Sequence, residues 1–278
     1  MDRKEIKIRL RRGPVLLLIA LLLIIGGKTV GEAAAARWPE APGGALQYSG
    51  SLVVDLAGAS EGYFQAAVQG GGSSRHKMRV TKDGQKLTYD MKLDGTYEVF
   101  PLQLGSGYYD ISLYRNVSGK QYAAAGSVGV SVSLSDSEVC FLYPNQYVNY
   151  SEESPSVLKA AEICATVEGK PAYDTVCSWM GKNFVYDFVK AITVKAGTLP
   201  DIETCFEKKM GVCQDLSAIT CSMLRTQGIP ARLVIGYADG NYHAWVTAVI
   251  DGKELFFDPT VAVSGMGKVK SYTVERWY

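Results

Sequence analysis

Three residues in this chain have the types and order for covalent chemistry, each beside a distinctive neighbour: Gly211-Val212-Cys213, His243-Ala244-Trp245 and Asp258-Pro259-Thr260. A thiol nucleophile, an imidazole base and a carboxylate that orients it are the parts of a Cys-His-Asp triad. A free thiol titrates near about 8.5, so at neutral pH little of it is thiolate unless an imidazolium or a helix N-terminus lowers that value. The choice of base is narrow, because the chain holds two histidines. The other, His76, lies far upstream in the basic, turn-like run Ser73-Ser74-Arg75-His76-Lys77.

The elements that must position these groups follow from local pattern. Leu216, Ala218, Ile219, Met223 and Leu224 recur as the buried stripe of a helix that begins at Cys213 and ends near Gln227-Gly228. The thiol then projects from a helix start, beside free backbone N–H groups and the positive end of the helix dipole, with Gly211 as a flexible approach. Ala231 to Tyr237 is apolar and β-branched, Ala238 to Asn241 is a turn cluster, and Tyr242 to Ile250 resumes the strand pattern. Asp251-Gly252 is a hairpin turn signal that leads through Leu255-Phe256-Phe257 to Asp258. Neighbouring strands therefore present His243 and Asp258 near each other. Asp215 suits the first turn of the helix, and Trp245 reads as packing beneath the site.

The run from Gly211 to Thr260 resembles the core of the bacterial transglutaminase-like superfamily. It carries that family's Gly-x-Cys at Cys213, Arg-x-x-Gly-Ile-Pro-Ala-Arg from Arg225 to Arg232, Gly236-Tyr237, His243-Ala244-Trp245 and Asp258-Pro259-Thr260. Upstream, Val185-Tyr186-Asp187 and Phe141 to Val148 are similar to segments of exported transglutaminase-like proteins of Gram-positive bacteria. The resemblance implies Cys213 as nucleophile, His243 as general base and Asp258 as its orienter, on a papain-like core. It also implies acyl transfer without a cofactor: thiolate attack on a protein or peptide amide, then transfer of the acyl group to an amine or to water. Crosslinking, deamidation and peptide hydrolysis all stay open, as does a cysteine peptidase or cell-wall amide hydrolase, or a non-catalytic surface binding protein. The oxyanion donor also stays open among the Cys213 backbone N–H, Gln214 and Tyr186.

The remainder of the chain supplies context. Its 278 residues are 47% hydrophobic and 21% charged, with net charge +1, which is ordinary globular composition and makes no electrostatic case for nucleic acid. Residues 1–36 read as a signal peptide or membrane anchor: six basic residues precede an apolar run from Val15 to Ile25, and Ala34-Ala35-Ala36 offers a cleavage site. The expected location is outside the cell, secreted or anchored at the outer face of the cytoplasmic membrane. Residues 46–145 show short alternating strands between Gly-rich turns and are expected to form an all-β immunoglobulin- or fibronectin-like sandwich that docks to cell wall or substrate. Residues 151–278 form the α+β transglutaminase-like domain in this reading, starting with a helix that places Val157, Ala160, Ala161 and Cys164 at helical spacing. Six cysteines in an exported chain raise the question of disulfides, with Cys164 and Cys177 a candidate pair. No Cys-x-x-Cys unit or Asp-rich calcium loop is present, so no metal is expected.

Overall fold

A computed structural model describes residues 36–278 apart from Gly71, Met266 and Lys268. The signal or anchor read at residues 1–36 lies, up to residue 35, outside the described residues. Among the described residues, no helix is long and apolar enough to cross a membrane.

Eight strands come first: β1 (Leu46–Ser49), β2 (Leu52–Asp55), β3 (Tyr63–Val68), β4 (His76–Lys82), β5 (Gln85–Met91), β6 (Glu98–Pro101), β7 (Gly107–Ser118) and β8 (Gln121–Val132). They form two four-stranded antiparallel sheets, ordered β1-β2-β3-β6 and β5-β4-β7-β8. Alternation drives the second sheet, where Met78 and Val80, then Tyr109, Ile111 and Leu113, turn inward. The inner faces meet where Tyr89 of β5 lies edge-on to Phe100 of β6 at 5.0 Å, with Phe64 stacked on Phe100 from the other side. His76 is not in a turn: it opens β4, is buried, and its Nδ1 lies 2.7 Å from the Ser74 carbonyl. The strand takes up the last two residues of that run, His76 and Lys77.

The second half carries α1 (Pro155–Ile163), α2 (Gly169–Asn183), β9 (Val185–Tyr186), α3 (Phe188–Thr193), α4 (Ile202–Lys208), β10 (Met210–Gly211), α5 (Cys213–Arg225), β11 (Ala231–Ala238), β12 (Asn241–Ile250), β13 (Lys253–Phe257), α6 (Pro259–Ser264) and β14 (Tyr272–Trp277). Strands β13-β12-β11-β14 make one antiparallel sheet. Both of its hairpins turn on an Asp-Gly pair with positive φ at both residues, 47° and 80° at Asp239-Gly240 and 51° and 70° at Asp251-Gly252. That is the backbone whose twist suits a two-residue connection. In α1, Val157, Ala160 and Cys164 face the core, whereas Ala161 is exposed.

Helix α5 packs against β11 and β12 and is buried on every side from Asp215 onward. A helix buried all round has to satisfy its polar side chains internally. Thr220 bonds the Leu216 carbonyl at 2.8 Å, and Ser222 reaches both the Ile219 carbonyl and Ser156 Oγ. At its end Arg225, with no exposed surface, donates to three carbonyls on separate segments: Ala231 at 2.9 Å, Tyr143 at 2.6 Å and Tyr278 at 2.9 Å. Tyr278 in turn stacks on Tyr147 at 3.5 Å and meets Tyr89 edge-on, so the first half, the connecting segment and the sheet share one apolar core. The described residues, from 36 on, lie in one compact unit.

All six cysteines are free, so no disulfide joins Cys164 to Cys177. The Cys164 thiol faces the Ala172 carbonyl instead, at 3.8 Å.

Because one guanidinium closes three segments, Arg225→Ala is expected to cost about 3–5 kcal/mol, since each buried carbonyl left without its donor costs about 1–3 kcal/mol. Arg225→Lys should recover little, since an ammonium cannot reach three separated carbonyls in the guanidinium's planar fork. Urea unfolding midpoints of the three proteins check this.

Candidate active site

Cys213 occupies the first position of α5, after Val212 in extended conformation (φ −87°, ψ 175°). Asp215, in that first turn, accepts from the Val212 N–H at 3.0 Å and from the Asp201 N–H at 3.1 Å. The carboxylate is fully buried and pairs with Lys190 Nζ at 2.7 Å, which ties α3 to the start of α5. An acidic group here favours the helix dipole while leaving the Cys213 and Gln214 amides, orphaned in any first turn, open toward solvent. Gly211 does not serve flexibility: a Cβ there would sit 2.9 Å from Asp215 Cβ, so close packing requires the glycine. The parallel pairing of β9 and β10 sets Tyr186 opposite Gly211, next to the thiol's approach.

His243 lies on β12 opposite Gly236 of β11. A Cβ at Gly236 would fall 2.0 Å from the Thr273 carbonyl and 3.0 Å from the Trp245 ring. The bare backbone thus lets β14 and Trp245 close behind the histidine. The His243 ring runs nearly parallel to buried Trp245, 6.2 Å away. Its Nε2 is 2.8 Å from Asp258 Oδ2, and the ring is also hydrogen-bonded to Cys213, which leaves Nδ1 as the nitrogen facing the thiol.

Asp258 is the N-cap of α6. Its Oδ1 accepts from the Thr260 and Val261 N–H groups at 2.9 and 3.1 Å, and its Oδ2 accepts from the Tyr272 hydroxyl at 2.8 Å besides His243. Burial works against the charged carboxylate, but His243, Tyr272 and the helix amides outweigh it and hold the acid below the usual range. Burial likewise disfavours a charged imidazole. Asp258 and the Cys213 sulfur overcome it and raise His243 from 6.5 to about 9. The Tyr186 hydroxyl is pushed up to about 12, by burial first and then by the neighbouring Cys213, so it stays a donor at neutral pH.

These groups open onto a cleft of about 350 Å³ whose lining includes Tyr186, Cys213, Gln214, Tyr242, His243 and Arg276. A larger hollow, about 520 Å³, lies between β5 and β14 and contains no nucleophile. Of the sequence-derived candidates, Cys213, His243, Asp258, Tyr186 and Trp245 converge. Gln214 lines the cleft, but its Nε2 donates to the Thr198 carbonyl at 3.0 Å and braces the cleft wall. Tyr272 escaped the sequence reading because it reaches Asp258 from a strand paired on the far side of β11. Among the described residues, no group of three or more His, Cys, Asp or Glu is placed to hold a metal ion.

A Bacillus subtilis relative, the uncharacterized protein YebA, is 28% identical over 107 residues, covering 37% of this chain. The chain spans 14% of that relative's length. A Cytophaga hutchinsonii structure provisionally assigned as a cysteine protease is 16% identical with a TM-score of 0.40, covering 72% of this chain and 80% of its own. A solved TGase is also 16% identical, with a TM-score of 0.36, covering 55% of this chain and 46% of its own.

The raised His243 has a consequence for folding. A histidine at 6.5 when unfolded and about 9 when folded contributes stability that is fully present below pH 6.5 and lost as pH rises through about 9. The stability difference between the wild type and His243→Gln, at most about 3 kcal/mol, should therefore be largest at pH 5.5–6.5 and vanish by about pH 9.5. Urea titrations of both proteins across that range check it. A flat difference contradicts an imidazolium held between Asp258 and Cys213.

The family model of the transglutaminase-like superfamily matches residues 159–259, from within α1 to the start of α6, and the mixed α/β core that this stretch builds is similar to that superfamily's.

Proposed function

We propose that this protein is a cysteine enzyme that transfers acyl groups from protein or peptide amides, with Cys213 as nucleophile, His243 as base and Asp258 as its orienter. The observation that carries the reading is the hydrogen-bonded series from Asp258 through His243 to Cys213, at the first turn of a helix and open to a cleft. The Cys213 thiolate attacks the amide carbonyl carbon, and the carbonyl oxygen gathers negative charge. The Cys213 backbone N–H and the Tyr186 hydroxyl are the donors suited to that charge, whereas Gln214 is already engaged with Thr198. His243, protonated on Nδ1, gives its proton to the departing ammonia or amine as the C–N bond breaks, leaving a thioester on Cys213. An incoming amine or water loses a proton to His243 and attacks the thioester, releasing product and restoring the thiolate.

The chain's location and organisation complete the proposal. Residues 1–36 export or anchor the protein at the outer face of the cytoplasmic membrane. Residues 46–145 form an immunoglobulin- or fibronectin-like sandwich that presents residues 151–278 to protein, peptide or cell-wall substrates. The two facing antiparallel sheets support the sandwich reading.

The test incubates the full-length protein, with Cys213→Ala as control, with a glutamine-bearing protein and an amine probe, and follows products by mass spectrometry. Amine incorporation lost in the variant is the transglutaminase outcome; a gain of about one mass unit means deamidation, and chain cleavage a peptidase. Asp258→Asn should lower kcat on the order of 10²–10⁴-fold, as a misoriented base does. Absence of any product, together with slow alkylation of Cys213, overturns catalysis and favours a binding protein.

A further inference from the structure

The cleft is charged on one side of the scale only. Its lining carries three groups capable of positive charge, His243, Lys195 and Arg276, and no aspartate or glutamate. Two of these cations have a carboxylate beside them outside the lining, Asp258 at His243 and Glu275 at Arg276, which leaves Lys195 as the cation without one among the described residues. Asp258 is buried behind His243, Asp215 is buried against Lys190, and Glu275 pairs with Arg276 while facing the neighbouring hollow. Lys195 is exposed on the segment after α3 and makes no ion pair among the described residues. Arg276 reaches the cleft from β14, where one arm of its guanidinium donates to the Tyr242 hydroxyl at 2.5 Å. Its side chain remains about one-third exposed, so N–H donors are left over for a ligand.

We infer that the cleft selects an acyl-donor peptide bearing a carboxylate close to the reacting amide, with Lys195 and Arg276 as the specificity-determining residues. This rests on the acyl-transfer reading of Cys213. An anion between the two cations gains attraction in a site walled by Tyr186, Val194 and Ile235, where water screens less than at an open surface. Arg276 supplies direction, because a planar guanidinium held by Tyr242 presents its remaining N–H groups to a carboxylate, and Lys195 supplies a mobile point charge. The same field repels a protonated amine, so a free lysine side chain entering as acceptor is disfavoured relative to water or a neutral amine.

Alkylation of Cys213 by iodoacetate and by iodoacetamide, followed peptide by peptide in the full-length protein, reads this field without requiring turnover. The two reagents differ in charge, and any change in thiol reactivity cancels in the ratio of their rates. Lys195→Ala with Arg276→Gln should lower the iodoacetate-to-iodoacetamide ratio on the order of tenfold, and about 1 M salt should reduce the wild-type ratio toward that of the variant. Lys195→Ala alone, an exposed change that leaves β14 intact, should lower it severalfold. A ratio indifferent to both changes overturns the inference. A Cys213 that reacts slowly with both reagents overturns the acyl-transfer reading instead, and the ratio still reports the charge of the cleft.

With active protein, kcat/KM for glutamine peptides flanked by Glu, Gln or Lys should fall in that order. Pairing each peptide as its C-terminal acid and amide separates a side-chain carboxylate from a terminal one. Equal values across the whole set overturn the inference.

Discussion

The Asp258 carboxylate is the constraint on which the site depends. A histidine that must face a thiol with one nitrogen needs the other nitrogen fixed, and a strand side chain left alone would rotate freely about two bonds. Asp258 Oδ2 fixes it at 2.8 Å, and Asp258 is itself held by two amides of α6 and the Tyr272 hydroxyl. The same carboxylate that starts a helix therefore orients His243, which couples local folding to the geometry of the cleft. Pro259 suits this arrangement because the first helical position needs no N–H.

Cys213 is held by a different device. Helix α5 cannot shift as a body, because Asp215 anchors its start to Lys190, Val212 and Asp201 while Arg225 anchors its end to three carbonyls. Between these anchors the helix is buried all round, so displacing it would strip packing on every side. His243 and Cys213 thus belong to two separately braced elements, sheet and helix, and their meeting is fixed by the packing of one on the other. Gly211 and Gly236 permit that packing through missing side chains rather than through loose backbone.

What the chain's order of residues disclosed was what is local. Two Asp-Gly turns mark both hairpins because positive φ at successive residues is a property of a few atoms. The start of α5 is legible for the same reason, since its apolar stripe begins directly after Cys213. The braces were not legible. Tyr272 reaches Asp258 across the sheet, Lys190 reaches Asp215 from another helix, and Arg225 joins segments 82 positions apart. A packing role for Gly211 cannot be told from a flexible one until the neighbour that would meet its Cβ is known. His76 shows the reverse case: a basic, serine-rich run reads as turn-like, yet pairing with both β5 and β7 makes it a buried strand residue.

Six thiols in one chain raise the question of what sets Cys213 apart. Burial pushes Cys140, Cys177 and Cys221 up to about 12 and Cys205 to about 11, and it raises Cys164 as well. In those places the thiol behaves as a small apolar group, and no imidazole faces it. Even Cys205, 3.4 Å from the Lys190 ammonium, stays high because the neighbouring Asp215 carboxylate opposes that cation. Cys213 alone combines access to a cleft, the first turn of a helix and a histidine held in place by a carboxylate. Reactivity in this fold is therefore a matter of address. Cys213 opens the helix beside the cleft and His243, whereas Cys221, two turns along the same helix, is fully buried.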